Sequence, residues 1–125
     1  MLEQVLIEGY TFQEPGVLTL SFDKTIEIRI SSEEAQQIVN QYVHMEISTQ
    51  MHAEEPTFVI GDDTYWQVPI HLTFPAFGDV GKVGMLQVDP ILGEIDTSQP
   101  EIIQTIIDNA EQLALRFTSA AAQPV

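Results

Sequence analysis

The chain has 125 residues, no cysteine, 44% hydrophobic residues and a formal net charge of −15, from 19 Asp and Glu against 4 Lys and Arg. That length and apolar content predict one globular domain whose core needs no covalent staple. The same numbers exclude disulfides and thiolate metal sites, and they oppose docking on phosphate backbones or anionic membranes.

The opening MLEQVLIEGY has neither a basic region nor a long apolar run, and no stretch approaches the roughly 20 apolar residues that span a bilayer. The expectation is a cytoplasmic protein. Val5, Leu6 and Ile7 predict a short strand ending near Gly9. FQEPG at 12–16 is turn chemistry, since Pro15 presets φ and Gly16 tolerates positive φ. VLTLSF at 17–22 and TIEIRI at 25–30 each alternate apolar with polar residues around Asp23-Lys24, which predicts a hairpin.

A helix over 32–46 follows. Ser31 and Glu34 have capping-box spacing, and Ala35, Ile38, Val39, Tyr42 and Val43 recur at helical intervals. STQMHAEEP at 48–56 reads as a connector, PTFVI at 56–60 as a strand, and Gly61-Asp62-Asp63 as a turn.

The longest strand is YWQVPIHLTF, 65–74. Trp66, Val68, Ile70, Leu72 and Phe74 form one face, with Tyr65, Gln67, Pro69, His71 and Thr73 opposite. An amphipathic strand of this kind is the antiparallel habit, and Pro69 predicts an edge or a bulge, because it has no N–H for a ladder. Residues 75–81 are the expected return loop and KVGMLQVD, 82–89, the next strand. In DPILGEI, 89–95, Asp89 can cap a reversal and Gly93 can take the left-handed position. Ser98 and Glu101 repeat the capping-box spacing before a helix over 99–117, striped with Ile103, Ile106, Ile107, Ala110, Leu113, Ala114 and Phe117. Residues 118–125 read as a C-terminal tail outside a single domain of 1–117.

The order is three strands, a helix, three strands and a helix, which defines an α+β class with two helices on one face of an antiparallel sheet. Tyr65-Trp66 with Val68, followed by VGMLQVDPILGEI at 83–95, resembles the PepSY-type module. Val88, Asp89, Gly93, Glu94 and Ile95 match the ending V-D-x-x-x-G-E-I of that family's strand pair. The resemblance spans residues 56–95 and implies a cystatin/PepSY-like fold and a binding or inhibitory role. VPIHLTFPAFGDVGKVG, 68–84, is similar to small bacterial proteins that accompany toxin genes.

Candidate chemistry is sparse. The histidines are His44, His52 and His71. A metal site needs three of them, or two with carboxylates, to converge. Their spacing does not point to that, and the minority arrangement sets His71 against Asp79, Glu54 or Glu55. Asp62-Asp63 and Asp89/Glu94/Asp96 read as turn caps, since they lack the alternation of a calcium loop. GDVGKVG, 78–84, lacks the Walker pattern and reads as a hairpin connection. No catalytic, cofactor or metal residue is assigned. The expected function is a non-enzymatic interaction module, antitoxin-like or inhibitory, that meets a basic protein and self-associates. Its candidate interaction surface is Tyr65, Pro69, His71 and Phe77. The alternative is a small-ligand binder or enzyme with a cleft between helix and curved sheet.

Overall fold

The computed structural model describes residues 4–9, 15–20 and 25–122. Strand β1 is Gln4–Ile7, helix α1 is Ser32–Glu46, β2 is Met51–Ala53, β3 is Thr57–Ile60, β4 is Thr64–Phe74, β5 is Gly78–Val88 and α2 is Pro100–Ala122. The class is α+β, with one five-stranded sheet and two helices among the described residues.

Helix α1 starts as its cap requires. The Ser31 hydroxyl accepts from the Glu34 N–H, and the Glu34 carboxylate accepts from the Ser31 N–H. Two orphan donors are thereby satisfied. Ala35, Val39 and Val43 repeat every four residues and are fully buried. They join Trp66, Val68, Ile70 and Leu72 of β4, Leu86 and Val88 of β5, and Ile106 and Ala110 of α2 in one core. Each fully buried Val, Leu or Ile contributes about 1.5–3 kcal/mol through apolar transfer. Both helices therefore cover the sheet face predicted from the β4 alternation.

The sheet itself is mixed. β3 and β4 are antiparallel, as are β4 with β5 and β2 with β4, but β1 runs parallel to β3, with Val5 opposite Phe58 and Ile7 opposite Ile60. An all-antiparallel sheet is thus incorrect. The physical reason is connectivity: α1 lies between β1 and β3, and a helical crossover is what joins parallel strands.

The hairpin predicted over 17–30 is also corrected. Residues 17–20 and 25–30 form no strand, and Val17 is 95% exposed. The predicted turn at Asp23-Lys24 lies outside the described residues. Where 25–30 ends, Arg29 and Ile30 both donate their N–H to the Pro90 carbonyl, and Trp66 Nε1 donates to the Ile30 carbonyl at 2.8 Å. Ile26 and Ile30 pack on the core while Ile28 stays exposed. The alternation in TIEIRI thus lays an extended segment against the core without a ladder partner.

Further boundaries shift. β2 lies inside the predicted connector, and β5 begins at Gly78, so the β4–β5 connection shrinks to 75–77. α2 continues to Ala122, beyond the predicted 117. Ser98 forms no capping box with Glu101; its hydroxyl donates to Asp96 instead. The 89–95 reversal is built as expected: Asp89 Oδ1 accepts from the Ile91 and Leu92 N–H groups, and Gly93 has φ of 72°.

Pro69 does not lie on an edge strand. β5 pairs with β4 from Trp66 to Phe74, so β3 and β2 must share the other side, one after the other. The Pro69 carbonyl accepts from the Glu54 N–H, which lies in the junction between β2 and β3. A strand residue aims N and C=O the same way, so the nitrogen of Pro69 faces that same break. An interior strand accommodates the proline because its missing donor falls where the neighbour changes.

The outer edge of β2 is closed by α1. Gln36 Nε2 donates to the Ala53 carbonyl and Asn40 Oδ1 accepts from the Ala53 N–H, both at 3.0 Å. The two amides are one helical turn apart and satisfy both backbone groups that Ala53 turns away from β4.

Candidate functional site

The outer face of the sheet carries an ordered group of titratable side chains. Alternation along β4 places His71 and Thr73 on that face, opposite Ile70 and Leu72. The β2–β4 register sets His52 directly across from His71, with ring centroids 5.9 Å apart. Glu54 follows His52 by two residues and points the same way.

β5 supplies the fourth member through an irregularity. Its pairing with β4 slips between Ile70 and His71 and again between Leu72 and Thr73. Leu72 faces Gly81, so an unbroken ladder would set Val80 against Thr73. The second slip sets Asp79 there instead. Val80 turns to the core and the Asp79 carboxylate reaches the outer face.

The result is a four-residue cluster. His52 Nε2 lies 2.7 Å from Glu54 Oε1 and 4.0 Å from Asp79 Oδ2. His71 Nδ1 lies 2.9 Å from Asp79 Oδ2 and 3.9 Å from Glu54 Oε1. Outer partners orient the members. His52 Nδ1 is 2.8 Å from Thr73 Oγ1, and Asp79 Oδ1 accepts from the Gly81 N–H at 2.9 Å. The side chains are 25–46% exposed, so solutes reach the cluster from one side.

A second feature lies at the opposite end of β4. A concavity of about 760 Å³ is lined by Glu8, Asp62, Asp63 and Asp96, with Tyr65, Gln87 and Ile102 among its walls. Among the described residues its lining contributes four carboxylates and no cationic side chain. The Tyr65 phenol is raised above the ordinary tyrosine range by burial, and further by the charge of Glu8, by its hydrogen bond to the Glu8 carboxylate, and by the charge of Asp63.

The structure separates the predicted interaction residues. Pro69 and His71 share the outer face. Tyr65 is half-buried, not exposed as expected, and lies six residues from His71, about 20 Å along the strand. Phe77 is 49% exposed but meets Phe117 of α2, ring centroids 5.6 Å apart. These four residues therefore do not form one patch. Of the carboxylates weighed against His71, Asp79 and Glu54 are in the cluster. Sequence reasoning misses His52, because residues 48–56 read as a connector. The signal was there in Met51-His52-Ala53, an apolar–polar–apolar triplet whose outer members are both buried. His44 stands in the last turn of α1, exposed and away from the cluster.

Among the described residues no helix is long and apolar enough to cross a membrane. No protein-family model, curated protein or solved structure matches the chain.

Proposed function

We propose that the chain is a non-enzymatic interaction module of the cytoplasm, which docks a basic protein in an inhibitory or antitoxin-like role. The observation that carries this reading is the acid-lined concavity around Tyr65. A net charge of −15 steers a cationic partner toward the molecule at long range. At short range, Glu8, Asp62, Asp63 and Asp96 offer acceptors for Arg or Lys, and the Tyr65 ring offers a face for a guanidinium. The likeness of residues 83–95 to PepSY-type modules supports a binding role in place of catalysis.

The test uses an Arg-rich peptide and its Gln-substituted counterpart, titrated into the full chain and followed by NMR. Binding of the Arg peptide, weakened by salt and by the Glu8→Gln/Asp63→Asn double variant, with shifts centred on Tyr65, Asp62 and Asp96, is the expected result. Shifts spread evenly over the acidic surface, or no binding at low salt, overturn the reading.

A second reading rests on the groove between the C-terminal end of α1 and α2. It is lined by Ile47, Met51, Leu72, Phe74 and Ile107 and encloses about 300 Å³. That is the lower end of the range for small-molecule sites. An apolar ligand that raises Tm and is lost in Leu72→Phe would favour it.

A further inference from the structure

The His/carboxylate cluster has a geometry that the docking reading does not use. Three of its polar atoms come from β2, β4 and β5, and the fourth from Glu54, one residue past β2. The geometry points to a site for a single divalent transition-metal ion, zinc foremost, held by His52 Nε2, His71 Nδ1, Glu54 Oε1 and Asp79 Oδ2.

Distance is the first argument. Four ligands at about 2.0–2.1 Å from a tetrahedral ion stand about 3.3–3.4 Å from one another. The four histidine–carboxylate separations are 2.7, 2.9, 3.9 and 4.0 Å, on either side of that value. Each differs from it by about 0.7 Å or less, within the reach of side-chain torsions on a fixed backbone. The ligand atoms of His52, Glu54 and Asp79 all lie within 4.8 Å of one another, and His71 joins that trio through its contacts with the two carboxylates. Two isolated histidine–carboxylate hydrogen bonds would require only the two short contacts. The two longer cross-contacts are what a shared centre adds.

Donor chemistry is the second argument. Two imidazole nitrogens and two carboxylate oxygens suit Zn(II), Co(II), Ni(II) or Cu(II); Mg(II) and Ca(II) prefer oxygen alone. Nearby groups already hold the ligands as metal sites do. Thr73 fixes the His52 ring through Nδ1; when an ion takes the place of the proton that Nε2 shares with Glu54, the Thr73 hydroxyl can accept from Nδ1–H. The Gly81 N–H binds Asp79 Oδ1 and leaves Oδ2 facing the two rings. Lys82 stands opposite His71 in the register and is exposed. The register slip that delivers Asp79 turns a strand face into a ligand set.

The experiment titrates the full chain with Zn(II) alone, in competition with a chromogenic chelator, and with Co(II) alone, followed by visible absorption. One ion per chain is expected, with the intense ligand-field absorption of four-coordinate Co(II). His52→Gln and His71→Gln should each weaken Zn(II) binding by more than about 100-fold, and Thr73→Val by about 10–100-fold through the lost orientation of His52. His44→Gln should leave affinity unchanged. Imidazole NMR of the unaltered chain provides a check that needs no variant: Zn(II) should move His52 and His71 and leave His44 in place. The proposal is overturned if the unaltered chain does not take up Zn(II) at micromolar concentration. Binding that survives in the His52→Gln/His71→Gln variant overturns it too, as does imidazole NMR in which His44 responds and the other two do not.

Discussion

Gly84 on β5 lies directly under Ile106 on α2: a Cβ added to Gly84 would stand 2.5 Å from Ile106 Cγ1. Gly84 faces Ile70 across the ladder, so the glycine belongs to the core face and lets the helix approach the sheet. Gly84→Ala is therefore expected to destabilise by about 1–3 kcal/mol through overpacking. In Ile106→Ala the same added methyl should cost much less. A double-mutant cycle by urea denaturation measures the coupling, and additive effects would refute the contact.

Trp66 is 3% exposed, packs edge-on against Phe58 at 4.9 Å and donates to the Ile30 carbonyl. Trp66→Ala should cost about 3–5 kcal/mol. Trp66→Phe keeps most of the apolar contact but leaves the Ile30 carbonyl without its donor, so about 1–3 kcal/mol is expected. Hydrogen exchange should separate the two roles. In Trp66→Phe the added loss of protection should concentrate at Arg29 and Ile30, the end that the indole pins.

Acid should weaken the caps built by Asp89 and Asp96. The Asp89 carboxylate is held below the ordinary range by the Leu92 and Ile91 N–H groups, and Asp96 by the Ser98 hydroxyl and N–H. Folded values below unfolded ones mean stabilisation that is present above the ordinary aspartate range and is lost as pH falls through the lower folded value. Asp89→Asn retains an acceptor but does not titrate. Its urea midpoint should therefore depend less steeply on acid pH than that of the unaltered chain. Identical acid limbs would contradict the cap.

Tyr65 carries the opposite sign. Its folded value is raised by burial and by Glu8 and Asp63, so its contribution is intact below the ordinary tyrosine value and fades as pH rises through the folded one. Ultraviolet titration should show a phenol that ionises late, absent in Tyr65→Phe. Glu8→Gln should move that ionisation to lower pH. A late phenol that persists in Tyr65→Phe would remove the electrostatic argument for the concavity.

Local signals in the chain were read well where the physics is local. Ser31 and Glu34 mark the start of α1, and Asp89 with Gly93 marks the reversal, because capping and positive φ are decided within a few residues. The core face of β4 was legible from its period of two. Pairing was not. Nothing in Val5-Leu6-Ile7 states that its partner is Thr57–Ile60 or that it runs parallel, and the alternation in 17–20 and 25–30 resembles a hairpin that never forms a ladder.

The cluster was legible only in part for the same reason. His71, Glu54 and Asp79 were visible as candidates, but their convergence depends on two register slips in β5 and on a three-residue strand hidden in a polar segment. A slip inserts a residue without altering composition. It can be inferred only from the partner strand, which a one-dimensional pattern does not identify. Pro69 shows the converse: its type was read correctly as incompatible with a full ladder, while the break that accommodates it lies in the neighbour.

The grip of Gln36 and Asn40 on Ala53 also bears on how the protein behaves in a crowded cell. Those amides occupy the hydrogen-bonding groups through which a stray segment would zip onto the rim of the sheet. That stretch of the rim is thus covered by a helix-borne latch. Leucine at both positions would unlatch it and leave the Ala53 N–H and C=O open to another strand, with the overall charge unchanged.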